Sequence, residues 1–131
     1  MQNLSKTILK MKKEKTYVVI IPAYNEAESL PGLLTELKQV LPDVPVVVIS
    51  DGSKDATAAI ARKNGGYVLD LPCNLGVGGA VQAGLQYACS KGYDFVVRID
   101  GDGQHNPADI PTLLSHIEEK KVDLVVGSRF I

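Results

Sequence analysis

The stretch "TYVVIIPAYNE", residues 16–26, passes from a continuous run of apolar and β-branched residues into a polar segment. A strand with one solvated face alternates apolar and polar residues, whereas a strand covered on both faces is apolar throughout. Strands of the second kind occur in parallel sheets that are flanked by helices. We therefore expect residues 16–21 to form a buried strand and residues 22–26 to leave its carboxyl end.

Four further segments have the same strand-like character, at residues 44–49, 66–71, 94–99 and 122–127. The stretches between them are longer and have helical periodicity. Alternation of strands with crossover helices predicts an α/β fold, a three-layer sandwich with a mostly parallel sheet. The chain of 131 residues suffices for one such domain, which we place at residues 16–131.

Two helices carry specific local predictions. Val81, Leu85 and Ala88 fall at helical spacing and predict the buried stripe of the third helix. Asn25, with Glu28 three residues later, has the spacing of a capping box and predicts the start of the first helix.

Composition narrows the class of protein. The net charge of −1 and the absence of Trp do not suggest a nucleic-acid partner. Cys73 and Cys89 have no metal-binding spacing, and we interpret them as reduced thiols of a cytoplasmic protein. Residues 1–15 contain five lysines and are expected to form a disordered basic leader, which could also contact anionic lipid at the inner face of a membrane.

Every predicted strand ends in polar or glycine-rich sequence. The exits read PAYNE at 22–26, SDGS at 50–53, PCNLGVGG at 72–79, DGDGQH at 100–105 and SRF at 128–130. Ligands of open parallel sheets bind beyond the carboxyl ends of the strands. We therefore expect these five segments to meet at one binding edge.

Asp100 and Asp102 are two residues apart on the fourth exit, so both side chains can converge on one point. Two neighbouring carboxylates repel unless a cation or a shared proton compensates. Mg²⁺ or Mn²⁺ is commonly held by one or two carboxylates together with phosphate oxygens, and Gln104 could supply a neutral ligand. The alternative is a solvated Asp-Gly turn that caps the next helix.

Other exit residues allow two interpretations each. Asp51 could accept hydrogen bonds from a nucleobase or ribose, or belong to a helix cap. The glycine-rich segment 74–84 could bring its backbone close to a ligand or pack a helix closely; as a dinucleotide fingerprint it lacks the third glycine. His105 could bind a metal or phosphate, or lie at the surface, and Arg129 could bind a phosphate.

At "IPAYNE", "SDGSKDAT", "NLGVGGAVQAG", "DGDGQHNPADI" and "GSRF", in that order, the chain resembles the family 2 glycosyltransferases. It is most similar to the branch around dolichol-phosphate mannose synthase and bacterial polyprenyl-phosphate glycosyltransferases. The resemblance covers residues 17–131 and implies the Rossmann-like nucleotide-diphospho-sugar transferase (GT-A) fold.

The resemblance implies an inverting glycosyltransferase that uses a nucleotide-diphosphate sugar and Mg²⁺ or Mn²⁺. It implies a metal site at Asp100, Asp102 and Gln104. The donor-binding residues that it implies, together with the glycine-rich loop, are Pro22, Tyr24, Glu26, Asp51, Gly76, Gly79, Asp100 and Arg129.

The sequence departs from the family in two ways. Ser50 precedes Asp51, where the family usually has a second aspartate. The chain also stops at Ile131, so we expect a truncated domain without the acceptor-side base. A polyprenyl phosphate acceptor is already an anion and needs no such base, whereas a hydroxyl of a glycan acceptor does.

Three other functions compete with sugar transfer. A nucleotide-sugar-binding half-domain would bind the donor without activity of its own, and exposed apolar surface could make it self-associate. An aspartate-dependent phosphatase would need the acidic pair on an early strand, with Thr or Val where Gln104 stands. A calcium loop would need Gly in place of His105 and Glu in place of Pro111.

Overall fold

The structure is a computed structural model that describes residues 15–123. Within them, strands and helices alternate as predicted. Their bounds are β1 (Tyr17–Ala23), α1 (Leu30–Val40), β2 (Val46–Ser50), α2 (Thr57–Lys63), β3 (Tyr67–Asp70), α3 (Gly76–Ser90), β4 (Phe95–Arg98), a 3₁₀ turn (Pro107–Asp109) and α4 (Ile110–Lys120). The predicted strand at 122–127 extends outside the described residues, as does almost all of the leader at 1–15.

The four strands form one parallel sheet in the order β3-β2-β1-β4, which confirms the predicted parallel arrangement. The chain first moves from β1 through β2 to β3, and then returns to the other side of β1 to form β4. The strand order thus reverses at β1, and the carboxyl ends of β1 and β4 lie side by side at this point. Ligands of open α/β sheets bind at such a topological switch point.

β1 is buried on both faces, as its apolar run predicts. Val19 and Ile21 pack in the cluster that includes the leucines of α1, while Val18 and Ile20 pack in the cluster that includes the alanines of α3. Burying an aliphatic side chain of this size contributes about 1.5–3 kcal/mol. This central strand thus joins the two helical layers of the sandwich.

The predicted buried stripe of α3 is confirmed at Ala88 and wrong at Leu85, while Val81 is partly buried against the same cluster. The residues that face the sheet are Ala80, Gly84 and Ala88, whereas Leu85 is 47% exposed. A Cβ atom on Gly84 would lie 2.9 Å from Cδ1 of Ile49, so a larger residue there would hold the helix away from the sheet. Close packing therefore selects the small residues of α3, although its larger apolar residues dominate the hydrophobicity pattern.

The predicted capping box is also wrong. α1 begins at Leu30, after Ser29, and no side chain caps it. Asn25 instead lies in a tight turn with φ of 54°, and its side-chain oxygen accepts a hydrogen bond from the backbone N–H of Lys54. Asn tolerates this left-handed conformation better than most residues and can bond locally, which explains its use in the loop.

Candidate functional site

The exits of all four described strands meet in one cleft of about 290 Å³. Seven of the residues predicted for the site line this cleft: Pro22, Tyr24, Glu26, Asp51, Gly76, Asp100 and Asp102. Gly79 and Gln104 do not line it, and Arg129 lies outside the described residues. The predicted convergence is therefore confirmed for these four exits, whereas the ligands of the individual residues stay predictions.

Asp51 connects the end of β2 to the start of α3. Its side chain is buried, and its Oδ1 accepts a hydrogen bond of 2.7 Å from the backbone N–H of Leu75. The positive end of the α3 dipole favours a carboxylate at this place. At the start of α2 a different carboxylate bonds the backbone, since Oδ1 of Asp55 accepts from the N–H of Thr57. Asp51 is thus available at the cleft and does not cap the helix that follows it.

The exits of β2 and β3 pack backbone against backbone. Gly52 has φ of 67°, and a Cβ atom there would lie 2.4 Å from the nitrogen of Asn74 and 2.5 Å from the carbonyl carbon of Cys73. Only glycine fits such a position. This contact fixes Asn74 beside Asp51 in the lining of the cleft.

Four hydrogen bonds join the loop after β1 to the loop after β2; we call residues 24–29 and 51–57 the braced loops. Backbone N–H groups of Asn25, Glu26 and Ala27 donate to Ser53 Oγ at 3.1 Å, to Thr57 Oγ1 at 3.0 Å and to Asp55 Oδ2 at 3.2 Å. The fourth bond runs from the N–H of Lys54 to Asn25 Oδ1, at 2.9 Å. These bonds hold the backbone of the predicted nucleotide side in place.

Asp55 and Thr57 were not predicted from the sequence to brace the loops of the site. Thr57 is fully buried, and its hydroxyl also donates to Asp55 Oδ1. Burial raises the pKa of the Asp55 carboxyl, but hydrogen bonds from Thr57 and Ala27 outweigh it, so the pKa lies below its ordinary value of 3.8. The available signal was the run of Ser, Asp and Thr just after a strand, since these side chains readily bond backbone groups of neighbouring loops.

Asp100 is surrounded by donors from its own segment. Its Oδ1 lies 3.3 Å from Nη2 of Arg98, and its Oδ2 lies 3.9 Å from Nε2 of His105. The backbone N–H of Asp100 donates to Nδ1 of His105 at 3.0 Å. His105 is exposed, and its imidazole contacts Asp100 of the acidic pair. Arg98 was not predicted as a site residue, although residues two apart on an extended segment lie on the same face, as Arg98 and Asp100 do.

Asp102 is exposed and carries a lighter set of contacts. Its Oδ1 accepts a hydrogen bond of 3.0 Å from the backbone N–H of Gln104. The exposed Gln104 thus supports Asp102 through its backbone, and the ligand role of its side-chain amide stays a prediction. The oxygens of Asp102 face a cleft that it shares with Asp100.

Gly101 and Ser29 join the acidic exit to the loop after β1. Gly101 is buried, and a Cβ atom there would lie 3.2 Å from Cβ of Ala23 and 3.4 Å from Cγ of Glu26. The hydroxyl of Ser29 lies within hydrogen-bond reach of the carbonyl oxygen of Gly101 and, at 3.2 Å, of Glu26 Oε2. Gly101 therefore lets the segment with the two carboxylates approach the predicted nucleotide side.

The donor set at the acidic exit fits a hard divalent cation that is shared with a phosphate ligand. Asp100 and Asp102 offer carboxylate oxygens to the same cleft. Among residues 15–123, no three His, Cys, Asp or Glu side chains are grouped closely enough to hold a metal ion by themselves. Mg²⁺ and Mn²⁺ do not need such a cage, because phosphate oxygens and water complete their coordination.

Ser50, which stands where the resemblance implies a second aspartate, lies within the sheet. Ser50 is buried, is the last residue of β2, and does not line the cleft. Its Oγ has no hydrogen-bond partner among the described residues. The residue that replaces the expected aspartate thus lies beneath the cleft, while Asp51 remains in its lining.

The two interpretations of segment 74–84 apply to different glycines. Gly76 lines the cleft, in agreement with a backbone that approaches a ligand. Gly84 packs against the sheet, in agreement with close helix packing. The missing Cβ of Gly79 leaves room for the side chain of Leu75, whose Cβ would otherwise be 2.6 Å away.

Comparison with known proteins shows which family and which relatives this chain is similar to. The sequence model of the family described as Glycosyl transferase family 2 matches residues 18–131. Undecaprenyl-phosphate mannosyltransferase of Micrococcus luteus is 39% identical over 117 residues, which cover 86% of this chain and 47% of that protein. Polyprenol monophosphomannose synthase of Mycolicibacterium smegmatis is 34% identical over 120 residues, covering 87% and 45%. These relatives confirm the predicted resemblance to polyprenyl-phosphate glycosyltransferases.

A solved structure confirms the predicted nucleotide-diphospho-sugar transferase (GT-A) fold. Glucosyl-3-phosphoglycerate synthase from Mycobacterium tuberculosis, in complex with Mn²⁺, UDP and glucosyl-3-phosphoglycerate, superposes with a TM-score of 0.67 at 27% identity. The match covers 82% of this chain and 41% of that chain. The chain thus spans about half the length of the curated relatives that it matches. Among the described residues, no helix has the length and apolar character to span a membrane.

Proposed function

The chain belongs to glycosyl transferase family 2, and on this premise we propose that its cleft binds a nucleotide-diphosphate sugar together with Mg²⁺ or Mn²⁺. We propose further that the whole protein transfers the sugar to a polyprenyl phosphate, with inversion at the sugar carbon. The single observation that carries this proposal is the shared cleft. Asp51, Asp100 and Asp102 all line it, which supports a donor whose nucleoside lies near Asp51 and whose diphosphate lies near the acidic pair.

In this proposal each side of the cleft binds a different part of the donor. Asp51, Tyr24 and Glu26 orient the nucleoside, and Asp100 and Asp102 hold the cation beside the diphosphate. A bound divalent cation offsets the negative charge that develops on the leaving nucleoside diphosphate. An oxygen of the acceptor forms a bond to the sugar carbon while the bond from that carbon to the diphosphate breaks.

The proposed acceptor rests on the chemistry of the relatives. Two of them are named for undecaprenyl phosphate and for polyprenol monophosphomannose. The phosphate of such a lipid is ionised at neutral pH, so it attacks without the help of a general base. We propose that the protein acts at the cytoplasmic face of the membrane, where it meets this lipid; self-association remains a prediction.

Calorimetry of the 131-residue chain with UDP and GDP, with and without Mn²⁺, tests the donor site. We expect one nucleotide to bind at least tenfold more tightly with Mn²⁺, because the carboxylates and the diphosphate would together supply the oxygen ligands that such a cation prefers. Asp102→Asn should remove this gain and leave the unfolding midpoint unchanged, since Asp102 is exposed. Asp43→Asn, an exposed residue in the turn before β2, is the charge-matched control.

Equal nucleotide affinity with and without Mn²⁺ would contradict the proposed donor site. Metal-dependent binding without sugar transfer to a polyprenyl phosphate would favour the half-domain. Release of phosphate from a generic ester, lost in the Asp100→Asn variant, would favour the phosphatase.

A further inference from the structure

Arg98 lies at a position where its charge acts on the acidic pair. It is the last residue of β4 and, like Val96, belongs to the face of the strand that is turned toward α3. Two residues further on, the carboxylate of Asp100 is on the same side of the backbone, and Arg98 Nη2 lies 3.3 Å from its Oδ1. A permanent positive charge therefore contacts one of the two carboxylates among the predicted metal ligands.

This contact opposes a metal ion in two ways. The guanidinium occupies a carboxylate oxygen that a cation would coordinate, and its charge repels a divalent ion nearby. The side chains of Arg98 and Asp100 are 47% and 37% exposed, so water screens the pair and the contact is weak enough to exchange. An ion pair at this exposure contributes little to the free energy of folding.

We propose that Arg98 competes with the divalent cation for Asp100 and thereby keeps the affinity of the site for the metal alone low. The inference rests on the proposed function, because it needs a metal at Asp100 and Asp102. A diphosphate adds negative charge and further oxygen ligands, which favour the cation over the guanidinium. Arg98 thus makes metal binding conditional on the donor.

Titration of the 131-residue chain with Mn²⁺ in the absence of nucleotide, followed by the electron paramagnetic resonance of free Mn²⁺, tests this inference. Arg98→Gln should lower the Kd for Mn²⁺ about three- to tenfold, because one nearby positive charge and one competitor are removed. Arg98→Lys keeps the charge and should stay near the wild-type Kd.

Arg62→Gln is the matched control. Arg62 pairs with Asp70 at 3.9 Å, is similarly exposed, and does not line the cleft, so this variant has the same net charge as Arg98→Gln. Its Kd for Mn²⁺ should equal that of the wild type. An Arg98→Gln protein that binds Mn²⁺ no more tightly than Arg62→Gln would overturn the inference, as would equal tightening by Arg98→Lys.

The Asp102→Asn variant separates the failure of this inference from the failure of the proposed function. If Asp102→Asn binds Mn²⁺ as tightly as the wild type, the metal site itself is wrong and both proposals fail. If Asp102→Asn loses Mn²⁺ but Arg98→Gln does not gain affinity, the metal site stands and only the competition by Arg98 is refuted.

Discussion

The exits of β1 and β2 are joined by four hydrogen bonds between the braced loops, whereas the exit of β4 holds its two carboxylates by bonds from its own segment. Thr57, at the centre of the braced loops, is fully buried. Asp102, at the centre of the acidic exit, is exposed. One side of the cleft is therefore shaped by the protein alone, and the other retains charges that a ligand can neutralise.

In the proposed donor site, the braced loops and the acidic exit would bind different parts of the donor. A nucleoside is a rigid, mostly neutral group, and a preformed surface binds it without the cost of ordering loops. A diphosphate with its cation is highly charged, and exposed carboxylates can adjust to it. We therefore expect variants of the braced loops to change stability, and variants of the acidic exit to change ligand affinity.

The largest expected effect on the braced side is that of Gly52→Ala. The new methyl group would overlap backbone atoms of residues 73 and 74, which cannot rotate away, and φ is positive. We expect the free energy of unfolding to fall by about 3 kcal/mol or more, measured by urea unfolding with circular dichroism. Gly65→Ala is the control, since Gly65 also has positive φ but no atom within 4 Å of a Cβ; it should cost about 1 kcal/mol. Equal losses would show that the two exits are not packed as described.

Thr57→Val should have the next largest effect. Valine preserves the shape but removes the hydroxyl that bonds Glu26 and Asp55, so the partly buried N–H of Glu26 loses its partner. The expected loss is about 1–3 kcal/mol in the free energy of unfolding. The control is Thr35→Val on the exposed side of α1, which should change it by less than about 0.5 kcal/mol. A Thr57→Val protein as stable as its control would contradict the bracing role.

The smallest expected effect is the pH dependence contributed by Asp55. Its pKa is lower in the folded protein than its ordinary value of 3.8, so ionised Asp55 stabilises the fold above that pH. This stabilisation is lost as the pH falls through the folded pKa. The stability difference between the wild type and Asp55→Asn should therefore shrink between pH 5 and about pH 3, measured by urea unfolding at each pH. A difference that stays constant over this range would refute the contribution of the Asp55 charge.

Much of the fold could be predicted because the composition of β1 indicates where this strand lies in the fold. Continuous apolar sequence indicates burial on both faces, and polar exits indicate the binding edge. The stripe of α3 could not be predicted in the same way, because the distance between helix and sheet decides whether Gly84 or Leu85 faces inward. That distance depends on Ile20 and Ile49, which are far away in the sequence.

The lining of the cleft was predictable where a polar residue follows an apolar strand, as with Asp51, Asp100 and Asp102, whose roles stay predictions. The site was not predictable where the contact joins two loops. Asp55 and Thr57 bond to backbone groups 28 and 31 residues away, and no local pattern specifies those partners. Arg129 lies outside the described residues, so its predicted phosphate contact stays a prediction.

The hydroxyl of Ser29 has a consequence for how the two sides of the cleft communicate. A hydroxyl carries a single proton, yet this one has three oxygen acceptors within reach, the carbonyl of Gly101 and the carbonyl and carboxylate of Glu26. A proton given to Gly101 is withheld from Glu26. A shift of the backbone at Gly101 would reach Glu26 through this hydroxyl and through the direct packing of Gly101 against Cγ of Glu26. Cooperativity between cation and nucleotide would then have a relay only three residues long.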